Sequence, residues 1–189
     1  MAKLNQVFYA PNQLTLLRLI FIPFVIVSIV EQQYWTAFAL VLIGGVSDGL
    51  DGLLARRLGQ QTELGKYLDP IADKLLLTSS FVALGLNRHI PLWLVILVVS
   101  RDIIILVTAL VMVLATSVRS FPPSIYGKLH TIGQVSTVLA TLLALLYPYE
   151  ALGWLQRASV YATGVFTVVS GLHYAFRTAD RLRHLERGV

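Results

Sequence analysis

The sequence predicts an all-α integral membrane protein of six transmembrane helices, with its N- and C-termini in the cytoplasm. Three observations carry that prediction. The chain of 189 residues is 56% hydrophobic and only 13% charged, with a mean hydropathy of +0.72; a soluble domain of this length needs a more highly charged surface. Its apolar residues fall in long runs, each near the ~20 residues with which a helix crosses ~30 Å of hydrocarbon. Its basic residues gather on one side of those runs.

The runs, in order, are Leu14–Val30, Tyr34–Ala55, Ile71–Leu86, Pro91–Ala115, Ile132–Tyr147 and Leu152–Tyr174. Helices are required because a lone span cannot leave its backbone amides unpaired in lipid. Pro11 and Asn12 precede the first run, Pro91 opens the fourth, and Pro122–Pro123 break the chain before the fifth, as helix starts and stops require. The third and fifth cores are short, so their helices are expected to extend into the polar stretches before them. The first run carries Arg18 and lacks an A-x-A cleavage pattern, which reads as a retained span rather than a removable leader. With short connections and no repeat, residues 1–189 are expected to form one domain.

Orientation follows from charge. With the N-terminus inside, Lys3, Arg56, Arg57, Lys66, Arg119, Lys128, Arg177, Arg181, Arg183 and Arg187 are cytoplasmic, and only Arg88 and Arg157 lie opposite. The aromatic residues Tyr34, Trp35, Trp93, Tyr147, Tyr149 and Trp154 fall near the other ends of the spans, where amphipathic rings prefer the interface. The net charge of +5 is then that of basic loops on an anionic leaflet. Nucleic acid is not an expected partner, because no basic face interleaved with aromatics is present. Cysteine is absent, which excludes disulfides, thiolate metal sites and a cysteine nucleophile.

The acids stand where lipid disfavours them. Asp48, Asp51, Asp69, Asp73 and Asp102 lie in or beside apolar spans, and a carboxylate at the bilayer centre costs roughly 2.5–3.5 kcal/mol. Asp48 and Asp51 are three apart and share a helical face, which Gly52 and Ala55 continue. Asp69 and Asp73 are four apart on the next span, with Gly65 four residues earlier. One span enters the cytoplasmic loop and the other leaves it, so the two acidic stripes share a depth. Converging carboxylates repel unless cations sit between them. Mg²⁺ and Mn²⁺ take oxygen ligands and keep positions for phosphate, and two such ions can hold both the attacking and the leaving oxygens. Arg56 and Arg57 follow the acids and can engage phosphate.

Each residue also has a plainer reading. Asp69, before Pro70, has the pattern of a helix N-cap. Gly44, Gly45, Gly49 and Gly52 fit close helix packing. Arg56 and Arg57 suit any cytoplasmic boundary, Arg101 and Asp102 an intramembrane ion pair, and His130 simple packing.

The stretch DGLDGLLARRLGQQTELGKYLDPIADK, Asp48 to Lys74, resembles the signature of the CDP-alcohol phosphatidyltransferase family, D-x2-D-G-x2-A-R-x8-G-x3-D-x3-D. Asp48, Asp51, Gly52, Ala55, Arg56, Gly65, Asp69 and Asp73 all fall at its fixed positions. PNQLTLLRL (Pro11 to Leu19) is similar to the family's segment before its first span, and six helices is the family's usual count. The resemblance implies the family's fold as a single catalytic domain, multi-pass in a bacterial inner or cell membrane. It implies two divalent cations, Mg²⁺ or Mn²⁺, held by Asp48, Asp51, Asp69 and Asp73. It implies that Asp51, Gly52, Ala55, Arg56 and Gly65 bind the CDP-lipid, and that Asp73 is the general base. The substrates would be CDP-diacylglycerol and a glycerol-type acceptor, CMP would be released at the cytoplasmic face, and the enzyme would be a homodimer among membrane lipids.

Two branches are similar. TELGKYLDPIADKLL and SIYGKLHT look like the phosphatidylglycerophosphate synthases, which use glycerol 3-phosphate; His130 stands where that branch has a second lysine. SRDIII (Ser100 to Ile105) is nearer to the cardiolipin synthases, which use phosphatidylglycerol. Arg101, Arg119, Lys128 and His130 are the expected acceptor-binding residues. From a different class, the buried acids fit the ion path of a cation transporter, although the repeats and broken helices common in such carriers are not evident. A non-catalytic metal-binding scaffold is the third reading.

Overall fold

Apolar runs bounded by turn residues become helices here. The computed structural model describes residues 10–58, 63–115 and 125–187, with the side chains of 10–16, 48–70, 109–115, 178–179 and 181–187 outside the description. Among the described residues there are six helices and no strand. They are α1 (Ala10–Val30), α2 (Tyr34–Leu58), α3 (Glu63–Leu86), α4 (Leu92–Ala115), α5 (Ile125–Leu146) and α6 (Glu150–Arg187). As expected from their short cores, α3 and α5 begin several residues before their apolar stretches. Asp69 therefore lies inside α3 rather than at its start, which rules out the N-cap reading. The sixth helix runs well past Tyr174; hydropathy could not mark that polar extension. The break at Pro122–Pro123 falls outside the described residues.

Two turns close with the same cap. Gln33 N–H donates to Ser28 O (2.7 Å) and Gln32 N–H to Ile29 O (3.2 Å), while His89 N–H donates to Leu84 O (2.9 Å) and Arg88 N–H to Gly85 O (3.0 Å). Gln32 and Arg88 take positive φ, 60° and 62°, as a helix-ending left-handed residue does. These turns meet the α5–α6 turn at one end of the bundle. There Tyr34 Oη lies 3.0 Å from His89 Nε2, Gln156 donates to the His89 carbonyl (2.8 Å), and the Trp35 and Tyr147 rings stand 5.8 Å apart. Burial pushes the His89 imidazole below its ordinary pKa, towards its neutral form.

The core joins Val25 and Ile29 of α1, Val41 of α2, Phe81 and Leu84 of α3, Leu94 and Val98 of α4, and Val138 and Leu142 of α5. Within the bundle α3 leans chiefly on α1, and α5 on α6. The α5–α6 seam is polar: Thr137 and Thr163 hydroxyls bond at 2.8 Å, the short-residue glue of helices packed in lipid. Large apolar residues such as Phe24, Ile96, Leu106, Val165 and Phe176 remain exposed. Among the described residues, α5 alone is a helix long and apolar enough to cross a membrane, with shorter apolar stretches at Leu17–Val30 and Tyr34–Ser47.

Where α3 approaches α4, glycine is required. A methyl group added at Gly85 would stand 2.4 Å from Val95 Cγ2, and a valine side chain is stiff at χ1. Gly85→Ala is therefore expected to cost about 1–3 kcal/mol of stability. A lower melting temperature in detergent is the check; no change would show that the two helices part freely.

Candidate active site

Gly44 brings α2 and α3 together. A Cβ there would lie 2.8 Å from Leu76 Cδ2 and 4.0 Å from Arg18 Cγ, so the lack of a side chain lets the two helices cross against α1. The crossing also sets their register. One turn towards the end of α2 is Asp48, then Asp51 and Gly52; one turn towards the start of α3 are Ala72 and Asp73, then Asp69. The backbones thus carry both pairs of acids away from a common crossing, towards the α2–α3 connection. The side chains of Asp48, Asp51, Gly52, Ala55, Arg56, Gly65 and Asp69 lie outside the described ones, and Arg119 lies wholly outside the described residues.

Asp73 is the acid whose surroundings can be given. It is half-buried and borders a cavity of about 350 Å³ between α2, α3 and α5, lined also by Val41, Gly45, Val46, Leu76 and Val135. Ionisable residues inside such bundles mark functional sites by default. Among the described residues no group of three or more His, Cys, Asp or Glu stands ready for a metal; three of the four signature acids have side chains beyond that description. As a donor set, four carboxylates on neighbouring helices fit a hard divalent cation.

A second polar cluster lies beside the first. Asp102 on α4 receives Arg101 Nη1 at 2.9 Å and Lys74 Nζ of α3 at 2.7 Å. Lys74 also donates to Gln134 Oε1 on α5 (3.2 Å), and Arg101 Nη2 to the Ser170 hydroxyl on α6. His130 is fully buried, with Nε2 3.6 Å from Asp102, beyond hydrogen-bond range. The Thr167 hydroxyl gives its hydrogen to the Thr163 carbonyl (2.6 Å), which leaves its oxygen to accept from His130 Nδ1–H at 3.0 Å. Of the residues expected at an acceptor pocket, Arg101 and His130 are thus brought together around one carboxylate, whereas Lys128 is exposed near the start of α5. Sequence reasoning anticipated the Arg101–Asp102 pair but missed Lys74 and Gln134. For Gln134 a signal was available, since His130, Gln134, Thr137 and Thr141 follow helical spacing and form one buried polar stripe of α5.

The family model described as CDP-alcohol phosphatidyltransferase matches residues 8–169. That decides the family. The chain belongs to the CDP-alcohol phosphatidyltransferase family. Its similarity to individual members runs nearly end to end. It is 31% identical over 192 residues to a CDP-diacylglycerol–glycerol-3-phosphate 3-phosphatidyltransferase of Bacillus subtilis, covering 93% of this chain and 98% of that one. A relative of the same name from Aquifex aeolicus is 31% identical over 88% of this chain and 94% of its own length. A Drosophila melanogaster protein named probable cardiolipin synthase (CMP-forming) is 30% identical over 94% of this chain and 60% of its own. This CDP-alcohol phosphatidyltransferase therefore resembles enzymes of two names, one stating glycerol 3-phosphate and the other cardiolipin.

Proposed function

We propose that this phosphatidyltransferase makes phospholipid by moving the phosphatidyl group of CDP-diacylglycerol onto glycerol 3-phosphate, with release of CMP. The observation that carries the reading is Asp73 at the edge of the α2–α3–α5 cavity, one turn from a crossing that brings in Asp48 from the facing helix. The similarity to glycerol-3-phosphate phosphatidyltransferases over nearly the whole chain supports the acceptor.

Asp48, Asp51, Asp69 and Asp73 would hold two divalent cations, Mg²⁺ or Mn²⁺. Bound there, the ions neutralise the diphosphate and stabilise the leaving oxygen. The protein does the rest by positioning. Asp51, Gly52, Ala55, Arg56 and Gly65 hold the CDP-lipid headgroup, the small residues letting the nucleotide lie close to the helices. Asp73 accepts the proton of the acceptor hydroxyl. The oxygen so freed bonds to the β-phosphorus, the bond from that phosphorus to the bridging oxygen breaks, and CMP departs with that oxygen. Arg101, Arg119, Lys128 and His130 surround the acceptor phosphate, the first and last being held at the inner end by Asp102 and Thr167. The domain spans residues 1–189 with six transmembrane helices, both termini and the site facing the cytoplasm. The apolar flanks of α1, α4 and α6 meet lipid and, in a homodimer, a second copy.

Phosphatidylglycerol is the second acceptor to test, favoured by His130 in place of a second lysine and by the Drosophila relative. Labelled CDP-diacylglycerol offered with glycerol 3-phosphate, phosphatidylglycerol, inositol phosphate or serine should give phosphatidylglycerophosphate from the first. Cardiolipin formation alone would transfer the reading to the second acceptor. Ion flux in proteoliposomes without CMP formation would overturn the enzyme in favour of a transporter. Within this reading, Lys128→Ala is expected to raise the acceptor KM about tenfold or more, leaving the CDP-lipid KM within about twofold. Equal effects on both would remove Lys128 from the acceptor pocket.

A further inference from the structure

Asp73 and Lys74 are neighbours on α3, so their side chains leave the helix about 100° apart. Asp73 faces the cavity shared with α2 and α5. Lys74 reaches the other way, to Asp102 on α4 at 2.7 Å and Gln134 on α5 at 3.2 Å. Among the described residues α3 packs most extensively against α1 and meets α4 and α5 over shorter stretches, so the aim of its cavity face depends in part on the polar ties on its other side. Rotation of α3 about its own axis is the motion that would carry Asp73 off its target. A turn of about 20° swings a carboxylate about 2 Å at the radius of a helix side chain. A misplacement of about 1 Å can cost about 10²-fold in rate.

We infer that Lys74 and Asp102 are positioning residues of the transfer reaction: their ion pair fixes the rotation of α3 and so aims the Asp73 carboxylate. The pair is built for the task. Asp102 is only 14% exposed, and its second oxygen is taken by Arg101, itself tied to Ser170 of α6. The anchor on α4 is therefore braced from a helix that does not touch the cavity. Lys74 is divided between Asp102 and Gln134, on two helices, which fixes direction as well as distance. With Arg101 on one oxygen and Lys74 on the other, the Asp102 carboxylate ties α3 to α4, and such a pair can specify one arrangement of helices even where it adds little stability.

This inference rests on the proposed role of Asp73, and the test keeps the two apart. Wild type, Lys74→Met, Lys74→Arg, Asp102→Asn and the Lys74→Met/Asp102→Asn double variant are assayed for CMP release with their melting temperatures. Absence of CMP release by the wild type would sink the functional reading itself. With an active wild type, Lys74→Met is expected to lower kcat about 10–100-fold, with both KM values within about twofold. Lys74→Arg should recover much of the loss. The double variant should be no slower than the worse single one, because a pair that acts as a unit is lost only once. Lys74→Met leaves Asp102 its Arg101 partner, so it decides the matter even where Asp102→Asn does not fold. Full activity in Lys74→Met, a loss confined to the acceptor KM, a kcat that falls only as the melting temperature does, or two single losses that multiply would each overturn the inference.

Discussion

Asp73→Asn is expected to lower kcat for CMP release by about 10³-fold, in the middle of the range a general base contributes. The loss is worth about 4 kcal/mol of transition-state stabilisation. The amide keeps the shape of the carboxyl and an oxygen that can still face the cavity, so substrate binding should change little. What it loses is the ability to take the proton of the acceptor hydroxyl as the new bond to phosphorus forms. Steady-state CMP release separates the possibilities: kcat should collapse with the CDP-lipid KM within about threefold. A KM increase with kcat preserved would make Asp73 a binding group only.

Chelation of divalent ions is expected to be as severe. Four carboxylates on two neighbouring helices cannot all stay charged in low dielectric without cations between them. Removing the ions should abolish CMP release and restoring Mg²⁺ or Mn²⁺ should return it. The same step should loosen the fold, because an ion bound only by the folded chain stabilises it, by about 2.7 kcal/mol at a hundred times its dissociation constant. Melting temperature should therefore rise with added Mn²⁺, and that rise should disappear in Asp48→Asn. Activity undiminished after exhaustive chelation would remove the ions from the reaction.

Hydropathy was enough to order the six helices, because runs such as Tyr34–Ala55 and Pro91–Ala115 are long and mostly apolar. It was not enough to place ends that polar residues build. Glu63 begins α3 and Arg187 ends α6, and neither position carries an apolar signal. The placement of the signature acids on helices was legible by spacing, since α2 and α3 run through Asp48, Asp51, Asp69 and Asp73 and residues three or four apart on a helix share a face. Lys74 was not. A lysine beside a membrane boundary reads as an ordinary basic residue, and its partner Asp102 lies 28 positions further along the chain, on α4. Long-range ion pairs leave no period in a sequence. Gly44 and Gly85 could be read as packing glycines, but only the crossings show which helices they admit.

The most direct measurement is the number of Mn²⁺ ions bound by the purified protein in the presence of CDP-diacylglycerol, by electron paramagnetic resonance titration. Two ions per chain are predicted, with affinity lost in Asp48→Asn and in Asp69→Asn. Binding of none, or binding that neither substitution alters, would contradict the picture of carboxylates from α2 and α3 closing on a nucleotide–lipid headgroup.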